Sequence, residues 1–224
     1  MEGKGAMSKI TAFVNVTLDG VMQAPGRPDE DRRGDFQHGG WAAPYADEVL
    51  GRVAAEGMAT TEGILLGRRT YQDFYGYWPK QTDNPFTDVL NSTQKYVAST
   101  TMTEPLPWAN STLLTSDVAQ AVARLKQRQR KDIVILGSGA LVRSLMRHDL
   151  IDAYTLLIHP LVLSSGRRLF TEGGPDAALR LVDTTTTTTG VIVATYQPAE
   201  ATPGHTTGHV RVPVDQGESI RGPR

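Results

Sequence analysis

The chain has 224 residues, 39% of them apolar, a formal net charge of −1 and no cysteine. That length suits one large domain or two small ones, and scattered Lys and Arg at near-zero net charge give no electrostatic reason to expect nucleic acid or an acidic membrane as partner. The missing thiols exclude disulfides, thiolate catalysis, iron–sulfur clusters and Cys-ligated zinc. No apolar run is long enough to span a bilayer and the N-terminus lacks an apolar signal core, so a soluble cytoplasmic protein is expected.

Residues 1–7 are small and polar and read as a flexible leader, with Met7 as an alternative start. Residues 10–16 are β-branched and apolar and predict a buried strand. A long polar loop follows over residues 19–40. Unstructured loops of that length are usually functional or disordered. Apolar residues at Tyr45, Val49, Leu50, Val53, Ala54 and Met58 form a helical stripe. Residues 63–66 predict a second strand, and residues 70–78 a helix start or an aromatic turn. Residues 94–98 and 111–114 predict strands three and four. Residues 117–127 carry Val118, Ala121, Val122 and Leu125 on one helical face, with Ser116 as N-cap. Residues 132–136 form an apolar fifth strand, residues 140–147 a helix and residues 153–158 a sixth strand. Residues 179–185 and 191–196 predict an antiparallel hairpin through Gly190. Residues 199–224 are rich in Gly, Pro, Thr and charge, cannot offset their ordering entropy by burial, and read as a disordered tail. His205 and His209 in it have i, i+4 metal-ligand spacing, but read as solvated tail residues. The domain is therefore expected to span residues 8–198. Strand–helix alternation closed by a hairpin means an α/β fold with a mainly parallel sheet and an antiparallel edge, whose ligands bind beyond the carboxyl ends of the strands.

Three of the loops that follow strands carry chemistry. In Gly67-Arg68-Arg69-Thr70 a glycine permits close backbone approach, the helix start offers free N–H groups, and the arginines and hydroxyl suit a phosphate or pyrophosphate. A plain turn with solvated arginines has the same pattern. Gly137-Ser138-Gly139-Ala140 is again strand, Gly-rich turn and helix, suited to a phosphate cradle or simply to tight strand–helix packing. Val142 stands where a standard dinucleotide fingerprint has its third glycine. Ser99-Thr100-Thr101 places hydroxyls at a strand end, where they bind phosphate oxygens or cap a turn. His159, before Pro160, reads as a structural histidine at a strand end.

The chain resembles the dihydrofolate reductase superfamily, in the branch of the reductase domain of bacterial riboflavin-biosynthesis proteins. The resemblance is carried by Val16-Thr17-Leu18-Asp19-Gly20, Gly40-Trp41, Leu66-Gly67-Arg68-Arg69-Thr70-Tyr71, Gly137-Ser138-Gly139, and His159-Pro160-Leu161-Val162 through Gly166-Arg167-Arg168-Leu169-Phe170. It implies a three-layer dihydrofolate reductase-like fold, a homodimer and an NADPH-dependent reductase acting on a small pyrimidine- or pterin-type substrate. Dihydrofolate reduction and cofactor binding without turnover are the alternatives. By the same resemblance, Gly67, Arg68, Arg69 and Thr70 hold the pyrophosphate and 2′-phosphate, beside Ser99 and Thr100. Gly137, Ser138, Gly139 and Ala140 run under the pyrophosphate and nicotinamide, which Asn15, Val16, Asp19, Gly20 and Met22 line. Phe36, Trp41 and Tyr45 are candidates for stacking on a substrate ring. Asp47 is the candidate proton donor, a role that requires a raised pKa. It also reads, and more readily, as a solvated first-turn residue favoured by the helix dipole. Two features depart from the riboflavin-type pattern. Leu136 stands where a glutamate usually holds the ribose-phosphate part of the substrate, and there is no fused zinc deaminase motif.

Overall fold

The computed structural model describes residues 8–115, 117–128 and 131–199. The expected leader, the Ser116 cap and nearly all of the expected tail, with His205 and His209, lie outside the described residues. The described chain forms one eight-stranded sheet, in the order β4-β3-β2-β5-β1-β6-β8-β7. The strands are β1 (Ile10–Thr17), β2 (Thr61–Gly67), β3 (Gln94–Ala98), β4 (Ser111–Leu114), β5 (Asp132–Leu136), β6 (Ala153–His159), β7 (Leu179–Thr186) and β8 (Ile192–Pro198). The helices are α1 (Glu48–Ala59), α2 (Arg68–Tyr77), α3 (Pro85–Ser92), α4 (Val118–Arg128) and α5 (Gly139–Met146).

β1 lies at the centre, parallel to β5 on one side and β6 on the other, which suits a strand whose Ile10, Ala12, Val14 and Val16 are all buried. The sheet is parallel from β4 to β6, and β6-β8-β7 is antiparallel. Side-chain alternation divides the core. Ile10, Ala12, Val14, Leu65, Ile133 and Ile135 face α4 and α5, meeting Val122, Leu141, Val142 and Leu145. Ile64, Leu66, Val97 and Val134 face α2 and α3, meeting Tyr71, Phe74, Phe86 and Leu90. Leu50 and Val53 of α1 rest beside them on Phe13, Leu157 and Val193. The result is helix, sheet, helix in three layers.

Two segments depart from the expectation. α3 is a helix in what reads as loop. Asn84 caps it by accepting from the Phe86 N–H, and Pro85 opens it. Its carboxyl end is closed by Lys95, fully buried on β3, whose Nζ donates to the carbonyls of Leu90, Asn91 and Thr93 at 2.8, 3.1 and 2.6 Å. The loop over residues 19–40 is held by the buried side chain of Gln23. Its Nε2 donates to the carbonyls of Asp31 and Arg33, its Oε1 accepts from the Arg167 N–H, and its own carbonyl accepts from Trp41 Nε1.

Candidate functional site

β2 and β5 are neighbours, yet the helices that follow them pack on opposite faces, α2 on one and α5 on the other. The carboxyl ends of the two strands therefore part around a crevice, the position at which open α/β sheets bind ligands. A cleft of about 1050 Å³ opens there and runs from the end of β3 across β2 and β5 to the end of β1.

Ser138 joins its two walls. Its Oγ accepts from the Gly67 N–H at 3.0 Å and donates to Thr70 Oγ1 at 3.0 Å. This fixes the first turn of α2 against the turn that opens α5. Gly137 and Ser138 both have left-handed backbone, at φ 56° and 55°. For serine that conformation is strained, and the two hydrogen bonds offset the strain. Neither Gly67 at the N-cap of α2 nor Ser138 at that of α5 caps its own helix with a side chain, so both helix starts present N–H groups and positive dipole ends to the same space. A Cβ on Gly139 would stand 2.4 Å from Met22 Sδ, so the backbone here approaches the opposite wall as closely as glycine allows.

At the β3 end, Arg68 Nη1 donates to Thr101 Oγ1 at 2.7 Å, and Ser99 Oγ accepts from the N–H groups of Thr101 and Met102. Asn15, Met22, Gly67, Arg68, Arg69, Thr70, Ser99, Thr100, Gly137, Ser138, Gly139 and Ala140 all line the cleft. These residues suit a dinucleotide: two glycine-rich turns at two helix starts, with two arginines and strand-end hydroxyls at one end.

Other candidates sit elsewhere. Val16 is buried in the core beneath α5. Asp19 and Gly20 form the turn after β1 outside the cleft. Asp19 accepts from Thr17 Oγ1, Arg168 Nη2 and the N–H groups of Leu163 and Ser164. Desolvation pushes its pKa upward, but these hydrogen bonds outweigh it and hold the carboxyl down at about 2. Phe36 and Trp41 pack with Val21 and Ala24 in a separate core cluster, and Tyr45 packs under α1. None of the three is among the residues that line the cleft.

Asp47 requires the larger correction. Its Oδ1 caps α1 by accepting from the Leu50 N–H at 2.9 Å, and its Oδ2 accepts from the N–H and Oγ of Thr188 at 2.8 and 2.7 Å. Those hydrogen bonds lower its pKa, the Leu50 N–H most of all, which is the wrong direction for a proton donor. Beside it, Thr189 Oγ1 donates to the Tyr45 carbonyl and Val191 N–H donates to Thr187 Oγ1, so Asp47 belongs to the anchor of the β7–β8 turn.

The cleft contains polar groups that sequence reasoning missed. Asp73, on α2, lines it together with Glu30 and Asp31. Arg33 donates to Asp73, and Asp31 pairs with both Arg33 and Arg167. Burial raises the Asp73 pKa although the Arg33 charge opposes it. The signal was present for Asp73, which stands three residues after Thr70 and so on the same face of α2. Asp31, Arg33 and Arg167 lie in loops without periodicity. Asn15 and His159 are also paired, with His159 Nε2 2.9 Å from Asn15 Oδ1. His159 is 1% exposed, and burial lowers its pKa to about 4.

Among the described residues there is no group of three or more metal-ligating side chains and no helix long and apolar enough to cross a membrane. The family model of the RibD C-terminal domain matches residues 8–193. The uncharacterized protein YyaP of Bacillus subtilis (strain 168) is 31% identical over 139 residues, 59% of this chain and 72% of that protein. YwjB of the same organism is 30% identical over 184 residues, 79% of this chain and 90% of that protein. The fold is similar to that of a pyrimidine reductase-like protein from Corynebacterium diphtheriae, with TM-score 0.60 and 14% identity over 86% of this chain and 92% of that one. It is also similar to a dihydrofolate reductase from Enterococcus faecalis complexed with NADP(H), with TM-score 0.53 and 13% identity over 86% of this chain and 97% of that one. The chain thus belongs to the RibD C-terminal domain family, a family of reductase domains, and has the dihydrofolate reductase-like fold.

Proposed function

We propose that the chain is an NADPH-dependent reductase of a small pyrimidine- or pterin-type heterocycle. The observation that carries this reading is the Ser138 bridge, which fixes two helix starts at one crevice beside Arg68 and Arg69. NADPH, when bound, supplies a hydride to the substrate. Gly67, Gly137 and Gly139 let backbone N–H groups approach its pyrophosphate. Arg68 and Arg69 pair with the 2′-phosphate, for which the guanidinium fork is suited, and Ser99 and Thr100 add hydroxyls. Asn15 and Met22 line the inner end, where orientation matters most for transfer. Hydride addition to a C=N or C=O bond requires a proton on the nitrogen or oxygen. Asp73 is the group in the cleft whose pKa burial moves toward that role, and it replaces Asp47 as the donor.

Leu136 lines the cleft. An apolar side chain there cannot supply the carboxylate that riboflavin-type reductases place on the ribose-phosphate part of their substrate, so the proposal stops at the heterocycle.

The test is titration of NADPH and NADH against wild type, Arg68→Ala and Arg69→Ala. A charge-assisted hydrogen bond contributes about 1.5–3 kcal/mol, or about ten- to more than a hundredfold in affinity. NADPH is expected to bind more tightly than NADH, with that preference lost in at least one variant. Equal wild-type affinities would refute the cofactor assignment. Asp73→Asn should lower turnover while leaving NADPH affinity unchanged.

A further inference from the structure

Asn15, half-buried in the wall of the cleft, is paired with His159, which is buried at 1% exposure and does not itself line the cleft. In the parallel register of β1 and β6, Asn15 stands opposite Leu157 and Thr17 opposite His159. With side chains alternating along each strand, Asn15 and His159 share one face of the sheet. The Asn15 Oδ1 offers only lone pairs, so the His159 Nε2 must carry the hydrogen in their 2.9 Å contact. The other ring nitrogen, Nδ1, is buried without a partner. In this tautomer it is a bare lone pair, which costs less to bury than an orphaned N–H on a charged ring. The depressed His159 pKa agrees. Trp41 and Tyr45 hold the imidazole edge-on, with ring centroids at 5.1 and 5.4 Å. The ring is therefore fixed in position, in tautomer and in charge.

The carboxamide of Asn15 is fixed in turn. Its oxygen is engaged by His159, and Asn15 lines the cleft. Its Nδ2 makes no hydrogen bond to any described residue and is not among the buried unpartnered atoms. A free amide turns either end toward a ligand, but this one presents only its two N–H donors.

We propose that His159 is a positioning residue that locks the Asn15 NH₂ toward the cleft, where it donates to a ring carbonyl oxygen of the substrate. The site thereby selects oxo-substituted heterocycles over their amino-substituted analogues. An amino group at that position would set donor against donor and leave both unpaired, which is why polar sites discriminate strongly. The proposal rests on reading the cleft as a reductase site.

The test uses two probes, 5,6-diaminouracil and 2,4,5,6-tetraaminopyrimidine, which exchange oxo for amino groups at two ring positions and, with them, ring N–H donors for bare ring nitrogens, so the wild-type preference is read against its change in the Asn15 and His159 variants. Binding of each is measured by calorimetry with and without NADPH. Wild type is expected to prefer the uracil by about tenfold or more, the scale of one satisfied against one unsatisfied buried hydrogen bond. Asn15→Asp, which offers acceptors alone, should abolish or reverse the preference. His159→Phe should bring it toward parity by freeing the amide to turn, and His159→Gln, which keeps an N–H donor, should restore it. Independently of any variant or ligand, the imidazole ¹⁵N shifts of the wild type should report the Nε2–H tautomer. An Nδ1–H tautomer, equal wild-type affinities, no binding of either probe, or a preference unmoved by Asn15→Asp and His159→Phe would overturn the proposal. Failure of NADPH to bind would instead overturn the cofactor reading while leaving the probe preference and the tautomer measurable.

Discussion

Replacing His159 by Gln should flatten the acid limb of the stability curve. His159 is 1% exposed, and burial lowers its pKa from an ordinary 6.5 to about 4. The folded protein therefore keeps the ring neutral where the unfolded chain protonates it. Above pH 6.5 both states are neutral and the group contributes no pH dependence. As pH falls from 6.5 to 4 the unfolded state binds the proton first, so wild-type stability declines, and below pH 4 this contribution is constant. Each pKa unit is about 1.4 kcal/mol, so the loss from this one group is about 3 kcal/mol, a large part of a typical stability of about 5–15 kcal/mol. The assay is urea unfolding of wild type and His159→Gln at several pH values between 7 and 4. Carboxylates such as Asp19 titrate in both proteins, so the difference between the curves isolates the imidazole. Wild type should lose about 3 kcal/mol more than the variant across that interval. Parallel curves would refute the reasoning and place a proton on His159 in the folded state.

Gly139→Val should cost about 1–3 kcal/mol of stability through overpacking, because the first added carbon already meets Met22 Sδ at 2.4 Å. It should also weaken NADPH binding about tenfold or more by filling the cleft. Thermal melts and cofactor titration check the two effects separately. The chain is expected to be a homodimer through Phe170 and the last strands, where Phe170, Leu181, Val182 and Ile192 are 43%, 48%, 39% and 41% exposed. Light scattering at micromolar concentration checks this, and a monomer mass would refute it.

Wherever a strand is bracketed by turn residues, the sequence alone was enough. β3, β4 and β5 have the expected bounds, and β1 is central, with Ile10, Ala12, Val14 and Val16 buried along one face. The glycine turns at Gly67 and Gly137 were legible because close backbone approach demands that residue. What was hidden is long-range and polar. Gln23 orders the loop over residues 19–40 by bonding carbonyls eight and ten residues away, and no periodicity encodes that. The Asn15–His159 link spans 144 residues. Asp47 was ambiguous for a local reason: a carboxylate at a helix start suits a cap as well as a catalytic site, and the partner that decides, Thr188, lies 141 residues later. α3 escaped notice because eight residues with three apolar side chains, Phe86, Val89 and Leu90, show too little stripe to count.

The threonines from Thr184 to Thr189 are chemically interchangeable, so nothing within the run says which one belongs in the turn. The count is taken from outside, by Asp47 on Thr188, the Tyr45 carbonyl on Thr189 and the Val191 N–H on Thr187. Upstream of those anchors β7 is an edge strand, exposed on both faces from Arg180 to Thr186 and already shifted in register between Leu181 and Asp183. A change in the length of the tract is therefore absorbed along the strand, while the three anchors hold the turn in place.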